Sequence, residues 1–426
     1  MDEIKVEQWR VCGGCQCWCD DIPSNTDVPS NPADTDWGPA CQRGQAWLDH
    51  HVPESTATAA SEESAGDQAV FGDLSQRLLQ AKRPAILGLV DLDLDAQRWA
   101  VAIADRSSAL LDPCLSPSHR AKLLALQQTG QVTATWGELR QRANRIVYWN
   151  CDPEQAPRFR ERYGDLVSRD SRAEVPQAVA IGSQVQAHQW TPQIPTLRLS
   201  DQELLDQLEN ESLRDPALQQ QVASWESGTY TAWVIGSSPE GDWPQQQMAM
   251  ERLTRWIAKH NHRQRMVAVP WGGGQGNATG AVSVLTWRTG YPMSVDFAEG
   301  HPTYRPGEYF WGNALHDASV DFVLWLGGVP DFAVPIVQSI REARPALPWY
   351  QLSRNVAPFS GAIHLASSAL TSNGEPTSQP HGIPRHLIQR PDGMILPANT
   401  GATNTASQLE LLLRRMTQSQ SPVAGQ

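Results

Sequence analysis

Residues 266–280 read MVAVPWGGGQGNATG, a short apolar run followed at once by a glycine-rich loop. The apolar run, residues 266–270, predicts a buried strand. Glycine backbone at the carboxyl end of a strand can approach a phosphate group closely. One glycine loop is by itself more often a tight turn than a ligand site, so the stretch predicts a strand and a turn before it predicts a binding site.

Strands and helices alternate on both sides of this stretch. Ser200 to Glu203 is a capping box that opens a helix. Alternation of this kind predicts an α/β fold of parallel, Rossmann-like sheets covered by helices, with ligands beyond the carboxyl ends of the strands. A second glycine loop, Gly327-Gly328, favours a large dinucleotide-like ligand or the remains of its site. Predicted strands lie at 84–90, 145–149, 231–235, 322–326 and 362–366, and predicted helices at 73–82, 95–104 and 244–259.

Four cysteines lie within eight residues near the start of the sequence, and Cys41 follows. Cys12, Cys15 and Cys19 are spaced so that, with one distant partner, their thiolates can hold an iron–sulfur cluster or a tetrahedral zinc ion. Disulfides are disfavoured, because the chain opens with acidic residues rather than with a secretory signal, and thiols stay reduced without export. We therefore expect Cys12, Cys15, Cys19 and Cys41 to bind a metal, and Cys17 not to be a ligand because the other four make a complete set. The alternative is that the cysteines are reduced thiols without a metal.

The composition limits the classes of function. At 47.0 kDa the chain is long enough for two or three packed units of roughly 150 residues each. Its net charge of −12 argues against binding to nucleic acid or to an anionic membrane surface. No apolar run approaches the roughly 18 residues that a membrane-spanning helix needs. We expect a soluble protein of the cytoplasm.

Shifts in composition divide the chain into segments. Residues 1–50 are rich in Pro, Asp and Gly and predict an irregular, metal-held lobe. Residues 51–68 are polar with small side chains and predict a linker or an insertion. We expect one α/β unit from residues 69–170 together with 315–416, a second unit from residues 171–314, and a disordered polar tail at 417–426.

Several motifs follow the order found in one protein family. The front of the chain has Cys12-x-x-Cys15-x-x-x-Cys19-Asp20-Asp21, and Cys41-Gln42-Arg43-Gly44 comes later. The most specific run is Gly276 to Gly280, then Thr286 to Pro292 and Tyr304 to Glu308. On these motifs the chain resembles the B subunit of formylmethanofuran dehydrogenase, a member of the molybdopterin oxidoreductase superfamily, and especially the B subunit of the bacterial formyltransferase/hydrolase complex. The resemblance covers nearly the whole chain, roughly residues 8–395.

The resemblance implies a fold and a set of cofactors. In redox-active relatives the four cysteines hold a [4Fe–4S] cluster that passes electrons to tungsten or molybdenum, where carbon dioxide is reduced to formate. Pterin guanine dinucleotides carry that metal on the strand-end loops. The resemblance implies a cofactor-binding site that is weak or vestigial in this chain. Its residues would be Asp152, Gly276, Asn277, Gly280, Gly327 and Gly328.

The sequence departs from the family at the redox metal itself. Leu94 takes the place of the metal-binding cysteine, and a leucine side chain has no lone pair to donate. Asn150 stands where a glycine is usual, and its side chain would crowd a pyrophosphate group. We expect tungsten, molybdenum and pterin to be absent, and a [4Fe–4S] cluster, or zinc as the alternative, to hold residues 1–50 together. In a second alternative, Asp93 or Asp95 replaces the cysteine as an oxygen ligand.

The expected function is that of a non-redox, scaffolding subunit of a formyltransferase/hydrolase complex. As the resemblance implies, such a complex moves a formyl group from a tetrahydromethanopterin carrier to a methanofuran-type carrier and hydrolyses it to formate. The expected partners are the hydrolase (A-like), C-like and formyltransferase subunits, and no catalytic residue is expected on this chain. One alternative is an active formylmethanofuran dehydrogenase subunit with tungsten- or molybdenum-pterin, and another is a lone metal-binding interaction protein.

Overall fold

The computed structural model describes residues 9–12, 15, 17–23, 40–45, 65–166, 176–210, 213–238, 241–271, 276–353, 363–366, 387–389, 395–397 and 405–418. The predicted linker up to residue 64, the glycine run 272–275 and the predicted tail from residue 419 lie outside these residues. Within the described ranges, no helix is long and apolar enough to cross a membrane.

The described elements alternate as the sequence predicts. The strands are β1 (Trp9–Cys12), β2 (Cys19–Pro23), β3 (Pro84–Gly88), β4 (Leu110–Asp112), β5 (Arg145–Trp149), β6 (Gln177–Ile181), β7 (Thr196–Leu197), β8 (Tyr230–Ile235), β9 (Arg265–Pro270), β10 (Val295–Asp296), β11 (Thr303–Tyr304), β12 (Phe322–Leu326), β13 (Trp349–Ser353), β14 (Ile363–Ala366), β15 (Leu387–Gln389) and β16 (Ile395–Pro397). The helices are α1 (Ala65–Gln80), α2 (Leu94–Ser107), α3 (Pro117–Thr129), α4 (Trp136–Arg142), α5 (Phe159–Arg162), α6 (Asp201–Glu209), α7 (Pro216–Ser227), α8 (Trp243–His260), α9 (Ala278–Thr289), α10 (Trp311–His316), α11 (Val334–Ala343) and α12 (Thr405–Gln418).

The larger sheet has the strand order β11-β10-β4-β3-β12-β13-β14. Neighbouring strands in the run β4-β3-β12-β13-β14 are parallel, whereas β10 pairs antiparallel with both β4 and β11. Helices α1, α2, α9 and α12 contribute to the apolar core on one face, and α10 and α11 to the core on the other. We call this sheet with its helices the first unit.

The smaller sheet has the strand order β7-β6-β5-β8-β9, and all its neighbouring pairs are parallel. From β5 the chain adds β6 and β7 on one side of the sheet. It then crosses to the other side of β5 and adds β8 and β9, so the order of strands reverses between β5 and β8. Such a switch point is where ligands bind in open parallel sheets. We call this sheet with its helices the second unit.

Burial on both faces explains why the central strands are apolar throughout. Every residue of β3, β12 and β8 is buried. Parallel strands that are covered by helices on both faces read as continuous apolar runs rather than as alternating patterns. The predicted capping box at Ser200 is also present, since its side chain accepts from the Glu203 N–H and the Glu203 side chain accepts from the Ser200 N–H. The α/β fold class predicted from the sequence is therefore confirmed.

The sheets divide the chain differently from the predicted ranges. β5, which the prediction placed with residues 69–170, lies at the centre of the second unit, and β10 and β11, placed with residues 171–314, lie at the edge of the first. Parallel neighbours are joined by long crossovers, so the order of strands along a chain does not reveal which sheet each one joins.

Three segment boundaries also differ from the expectations. The predicted irregular lobe contains an antiparallel pair, β1 with β2. Helix α1 begins at Ala65, inside the predicted linker, and α12 ends at Gln418, inside the predicted tail. Helix α12 forms because Leu409, Leu412 and Met416 are buried in the core of the first unit.

Candidate functional site

Gly276, at the start of α9, and Gly327-Gly328, after β12, come together beside the carboxyl end of β3, where they surround a carboxylate of the chain itself. The Gly328 N–H donates to Asp91 Oδ2 at 2.7 Å. A Cβ on Gly327 would lie 3.0 Å from the Asp91 Cβ, and a Cβ on Gly276 would lie 3.0 Å from Asp91 Oδ1 and would overlap the Val90 carbonyl oxygen. The backbone that could approach a phosphate group therefore approaches the 90–91 segment instead. We call this place the first-unit crevice.

Buried amide side chains close the rest of the first-unit crevice. Asn277 donates from its backbone N–H to the Val90 carbonyl oxygen at 2.5 Å and from Nδ2 to the Leu92 carbonyl oxygen at 2.9 Å. Gln97 Nε2 lies within hydrogen-bonding distance of the carbonyl oxygens of Leu89, Leu92 and Asn277. Both side chains are fully buried. Asn277, predicted to contact a pterin nucleotide, is used here to bind the chain's own loop.

Gly280, another predicted cofactor position, makes room for Asn277. A Cβ at Gly280 would overlap the Asn277 side-chain amide. Burial raises the pKa of the Asp91 carboxyl group above its ordinary value, and the hydrogen bond from Gly328 only partly opposes that effect.

The place of the family's metal-binding cysteine is part of the apolar core. Leu94 begins α2 and is 1% exposed. The Asp93 Oδ1 atom accepts the Ala96 N–H at 2.7 Å as the N-cap of the same helix. Asp95 pairs with Arg98 at the helix surface, where its side chain is 39% exposed. The two aspartates offered as substitute ligands therefore have local roles at the start of α2.

The carboxyl end of β4 carries a second buried acid. Asp112 is 2% exposed, its Oδ1 atom accepts the Cys114 N–H, and its Oδ2 atom accepts the Ser294 hydroxyl, both at 2.7 Å. Burial raises the pKa of Asp112 to about 6. Because the folded chain then binds this proton more tightly than the unfolded chain, the pKa shift links stability to pH.

We expect the Asp112→Asn variant to lose part of the pH dependence of stability. The contribution from protonated Asp112 is complete below about pH 4, the unfolded pKa, and is lost as the pH rises through about 6. The loss amounts to about 3 kcal/mol of unfolding free energy at 1.36 kcal/mol per unit. Urea unfolding of both chains from pH 4 to pH 7 measures it; equal slopes for the two chains would contradict the expectation.

The carboxyl ends of the second sheet form a second-unit crevice, which the chain also closes. Asn150 has φ +52 and donates from Nδ2 to Asp201 Oδ1 at 2.8 Å. The Ser238 hydroxyl donates to Asp201 Oδ2 at 2.6 Å. A Cβ on Gly182 or Gly236 would crowd or overlap Asn150. The Asn150 side chain thus occupies the space between the ends of β6 and β8.

A small cavity of about 10 Å³ lies in the second-unit crevice. Trp149 Nε1 and Gln246 Oε1, which line it, are buried without a hydrogen-bond partner among the described residues. The cavity has room for about one water molecule. Asp152, a predicted cofactor contact, instead accepts the Glu154 N–H at 2.9 Å in the turn after β5.

The four predicted metal-ligating cysteines lie in one lobe against the second unit. Cys12, Cys15 and Cys19 are buried, and Cys41 is partly exposed. A Cβ on Gly44 would lie 3.1 Å from Cys12 Sγ and 3.7 Å from Cys41 Sγ, so glycine leaves space between these two thiols. Among the described residues, no three Cys, His, Asp or Glu side chains are grouped closely enough to hold an ion.

Electrostatics differ among the thiols of this lobe. A hydrogen bond from the Cys17 thiol lowers the pKa of Cys15 to about 7, with further lowering from Arg43 and Arg158 and opposition from burial. Burial raises the pKa of Cys19 to about 12. Since the described thiols are not grouped as a metal site, a structural iron–sulfur cluster or zinc ion at Cys12, Cys15, Cys19 and Cys41 stays a prediction.

Comparison with known proteins agrees with these motifs. No protein-family model matches the chain. The B subunit of tungsten-containing formylmethanofuran dehydrogenase 2 from Methanococcus maripaludis is 24% identical over 428 residues, which cover 91% of this chain and 95% of the relative. The corresponding protein from Methanocaldococcus jannaschii is 24% identical over 442 residues, covering 92% and 96%. The chain is similar to this B subunit over nearly its whole length.

A solved structure shares the fold. It is a chain from the formyltransferase/hydrolase complex of Methylorubrum extorquens in complex with methylofuran, with a TM-score of 0.66 and 18% identity, covering 85% of this chain and 98% of that one. The resemblance predicted from the cysteine and glycine motifs is confirmed.

Sequence reasoning missed the residues that close the crevices. Asp91, Gln97 and Asp201 were not among the predicted site residues, although Asp201 lies within the capping-box segment. No local signal separates Asp91 from Asp93 and Asp95, because the three acids alternate in one short segment. Their different roles arise only when β3 is brought beside β12 and the start of α9.

Proposed function

We propose that this chain is a non-redox, scaffolding subunit of a formyltransferase/hydrolase complex that converts a carrier-bound formyl group to formate. The observation that carries the proposal is the closed first-unit crevice, in which Asp91 lies against the Gly328 N–H at 2.7 Å. A pterin pyrophosphate would need that backbone, which already donates to the Asp91 side chain. Leu94, buried where redox-active relatives have a metal-binding cysteine, offers no ligand.

The proposal extends to the cysteine lobe and to the partner chains. Cys12, Cys15, Cys19 and Cys41 would hold a [4Fe–4S] cluster, or zinc, as a structural clasp rather than as an electron carrier. The partners would be the hydrolase (A-like), C-like and formyltransferase subunits. The similarity to a chain of a solved formyltransferase/hydrolase complex supports partners of this kind. A cytoplasmic location is part of the same proposal.

A second candidate function has its own support. Both curated relatives are described as tungsten-containing, which favours an active dehydrogenase subunit that interconverts carbon dioxide and formate. That function would require the Asp91 loop to move out of the first-unit crevice. It would also require Asp93 to release the Ala96 N–H, or Asp95 to release Arg98, in order to bind the metal. The two functions differ in whether the chain carries tungsten or molybdenum with pterin.

Elemental analysis and pterin extraction of the complex, purified without oxygen, test the proposal. We expect about four iron atoms per chain, or about one zinc, with no tungsten, molybdenum or pterin. Tungsten or molybdenum together with pterin at one equivalent or more per chain would overturn the scaffold proposal and establish the dehydrogenase.

The Leu94→Cys variant provides an independent prediction. We expect it to show no viologen-linked formate oxidation, because a thiol alone leaves Asp91 and Asn277 in the first-unit crevice. Leu94→Ala serves as the matched control for the loss of core volume, which costs roughly 2–5 kcal/mol of unfolding free energy. Formate oxidation by the folded cysteine variant that the alanine variant lacks would refute a closed crevice.

A further inference from the structure

A cavity of about 290 Å³ opens between helices α6, α7 and α8 of the second unit. Leu208, Val222 and Trp256, one from each helix, form an apolar wall, and Leu213 lines the cavity beside them. The first three belong to the core of the second unit, and Leu213 packs against that core. Part of the core surface therefore faces the cavity, which we call the helix pocket.

The helix pocket lies at the opposite edge of the sheet from the second-unit crevice. β8 and β9 are parallel neighbours, so α8, which joins them, returns the chain from the carboxyl end of one strand to the amino end of the next. The pocket is lined by the last turns of α8, from Trp256 onward. Asn150 and Asp201, which close the second-unit crevice, are not part of its lining. The pocket is therefore separate from that crevice.

Basic side chains surround the mouth of the helix pocket. The polar residues of its lining are Lys259, His260, His262 and Arg263, together with one acid, Glu226 of α7. With the histidines counted as neutral, two cations and one carboxylate give this lining a net charge of +1, whereas the whole chain carries −12. Local positive charge of this kind favours an anionic ligand.

The dipole of α8 explains only part of this arrangement. Cations near the carboxyl end of a helix are stabilising by about 0.3–1 kcal/mol, and Lys259 and His260 are in the last turn of α8. That effect does not require an apolar hollow beneath the cations. A concave apolar surface with a few polar groups is the usual form of a small-molecule site, and such sites have volumes of about 300–1,000 Å³. The helix pocket is thus the size of a site for a small ligand.

An aromatic pair forms the wall nearest the basic residues. The ring centres of Trp256 and His260 are 4.2 Å apart, with 33° between the ring planes. His260 Nδ1 lies 2.8 Å from the Trp256 carbonyl oxygen. Because a carbonyl oxygen only accepts hydrogen bonds, Nδ1 carries a proton and donates it to this bond. The two contacts hold the imidazole ring in place, so the pocket has a fixed aromatic surface on which a flat apolar group can stack.

We propose that the helix pocket binds a small molecule with an aromatic or branched apolar body and a carboxylate group. The apolar body lies against Leu208, Val222 and Trp256, and the carboxylate pairs with Arg263 at the mouth. Arginine suits this role because its planar guanidinium group can donate to both oxygens of a carboxylate. The inference does not rest on the proposed function, since the lining of the helix pocket takes no part in the crevices or the cysteine lobe.

Isothermal titration of the full-length chain with 3-phenylpropionate tests the proposal. We expect the parent to bind this probe and Arg263→Glu to bind it roughly 10-fold or more weakly, because a charge-assisted hydrogen bond is lost. Arg263→Lys, which keeps the positive charge, should recover part of the affinity. Arg140→Glu is the control, since Arg140 is an exposed arginine of the same unit that does not line the pocket, and it should bind as the parent does.

The uncharged analogue 3-phenylpropan-1-ol separates anion recognition from simple apolar binding. It keeps the ring and lacks the carboxylate, so we expect it to bind the parent roughly 10-fold more weakly than the acid. Equal affinities for the acid and the alcohol would refute the proposal. A parent chain that does not bind 3-phenylpropionate, or an Arg263→Glu variant that binds it like the parent, would do so too. Binding by the free chain that is lost in the purified complex would assign the pocket to a partner chain and likewise overturn the proposal.

Discussion

The Asp165→Ala variant is expected to lose roughly 3–5 kcal/mol of unfolding free energy, the cost of breaking a buried ion pair by removing one partner. Arg160 donates from Nε and Nη2 to the two oxygens of Asp165 at 2.9 and 2.6 Å, with the two side chains 7% and 6% exposed. The Tyr148 hydroxyl donates to the same carboxylate at 2.6 Å. Alanine at 165 therefore leaves a buried cation and a buried hydroxyl without their acceptor.

Urea unfolding at neutral pH measures this loss. Glu308→Ala is the control, because Glu308 pairs with Arg305 at a surface where the side chains are 67% and 57% exposed, and such pairs contribute about 0–1 kcal/mol. Equal unfolding free energies for the two variants would contradict the buried network. Because Arg162 in the same helix as Arg160 pairs with Asp20 and Asp21 of β2, the Asp165 variant should also expose residues 9–23 to protease.

The Arg120→Ala variant is expected to loosen the contact between the two units. The Arg120 guanidinium lies 4.3 Å from the ring centre of Trp243, at the start of α8, and 4.2 Å from that of Phe310. Its Nη2 atom also donates to the Pro306 carbonyl oxygen at 2.6 Å. The Arg120 residue is only 3% exposed. Cation–π contacts reach about 2 kcal/mol each when desolvated, so we expect a loss of roughly 3 kcal/mol of unfolding free energy.

Arg120→Lys tests whether the planar group matters. Lysine keeps the positive charge but cannot stack flat between two rings, so it should restore only a small part of the lost stability. Chemical unfolding and the rate of proteolysis between the units are the measurements. A lysine variant as stable as the parent would show that charge alone, rather than stacking, stabilises this contact.

The scaffold proposal depends on strand-end crevices that the chain fills with Asp91, Asn277 and Asn150. A chain purified with tungsten or molybdenum and pterin would show that these side chains leave the crevices.

Local sequence patterns were sufficient to predict most of the strands and helices that the structure describes. β5 and β12 have the predicted bounds, and the capping box at Ser200 forms as expected. These features depend on residues within one or two turns of each other, namely an apolar run or a side chain that caps its own helix. Gly327 and Gly328 directly follow β12, as predicted, because glycine is needed where backbone approaches another segment closely.

Long-range contacts decided what those loops surround. Asp91 meets Gly328 across 237 positions of sequence, and Asn277 meets Leu92 across 185. No sequence window contains both partners, and an aspartate that closes a crevice looks the same in sequence as one that caps a helix or faces solvent. The assignment of β5 to the second sheet was likewise invisible, because crossover connections hide which parallel strands are neighbours.

The sequence by itself therefore determined the fold class and the similarity to the B subunit of formylmethanofuran dehydrogenase, since these depend on motif spacing and local periodicity. Only the tertiary structure decided that Asp91 and Asn150 fill the two crevices and that Arg162 pairs with Asp20 and Asp21 of β2. The physical reason is that hydrogen bonds and ion pairs between distant segments exist only after the sheets assemble, when most buried polar groups are paired within the protein.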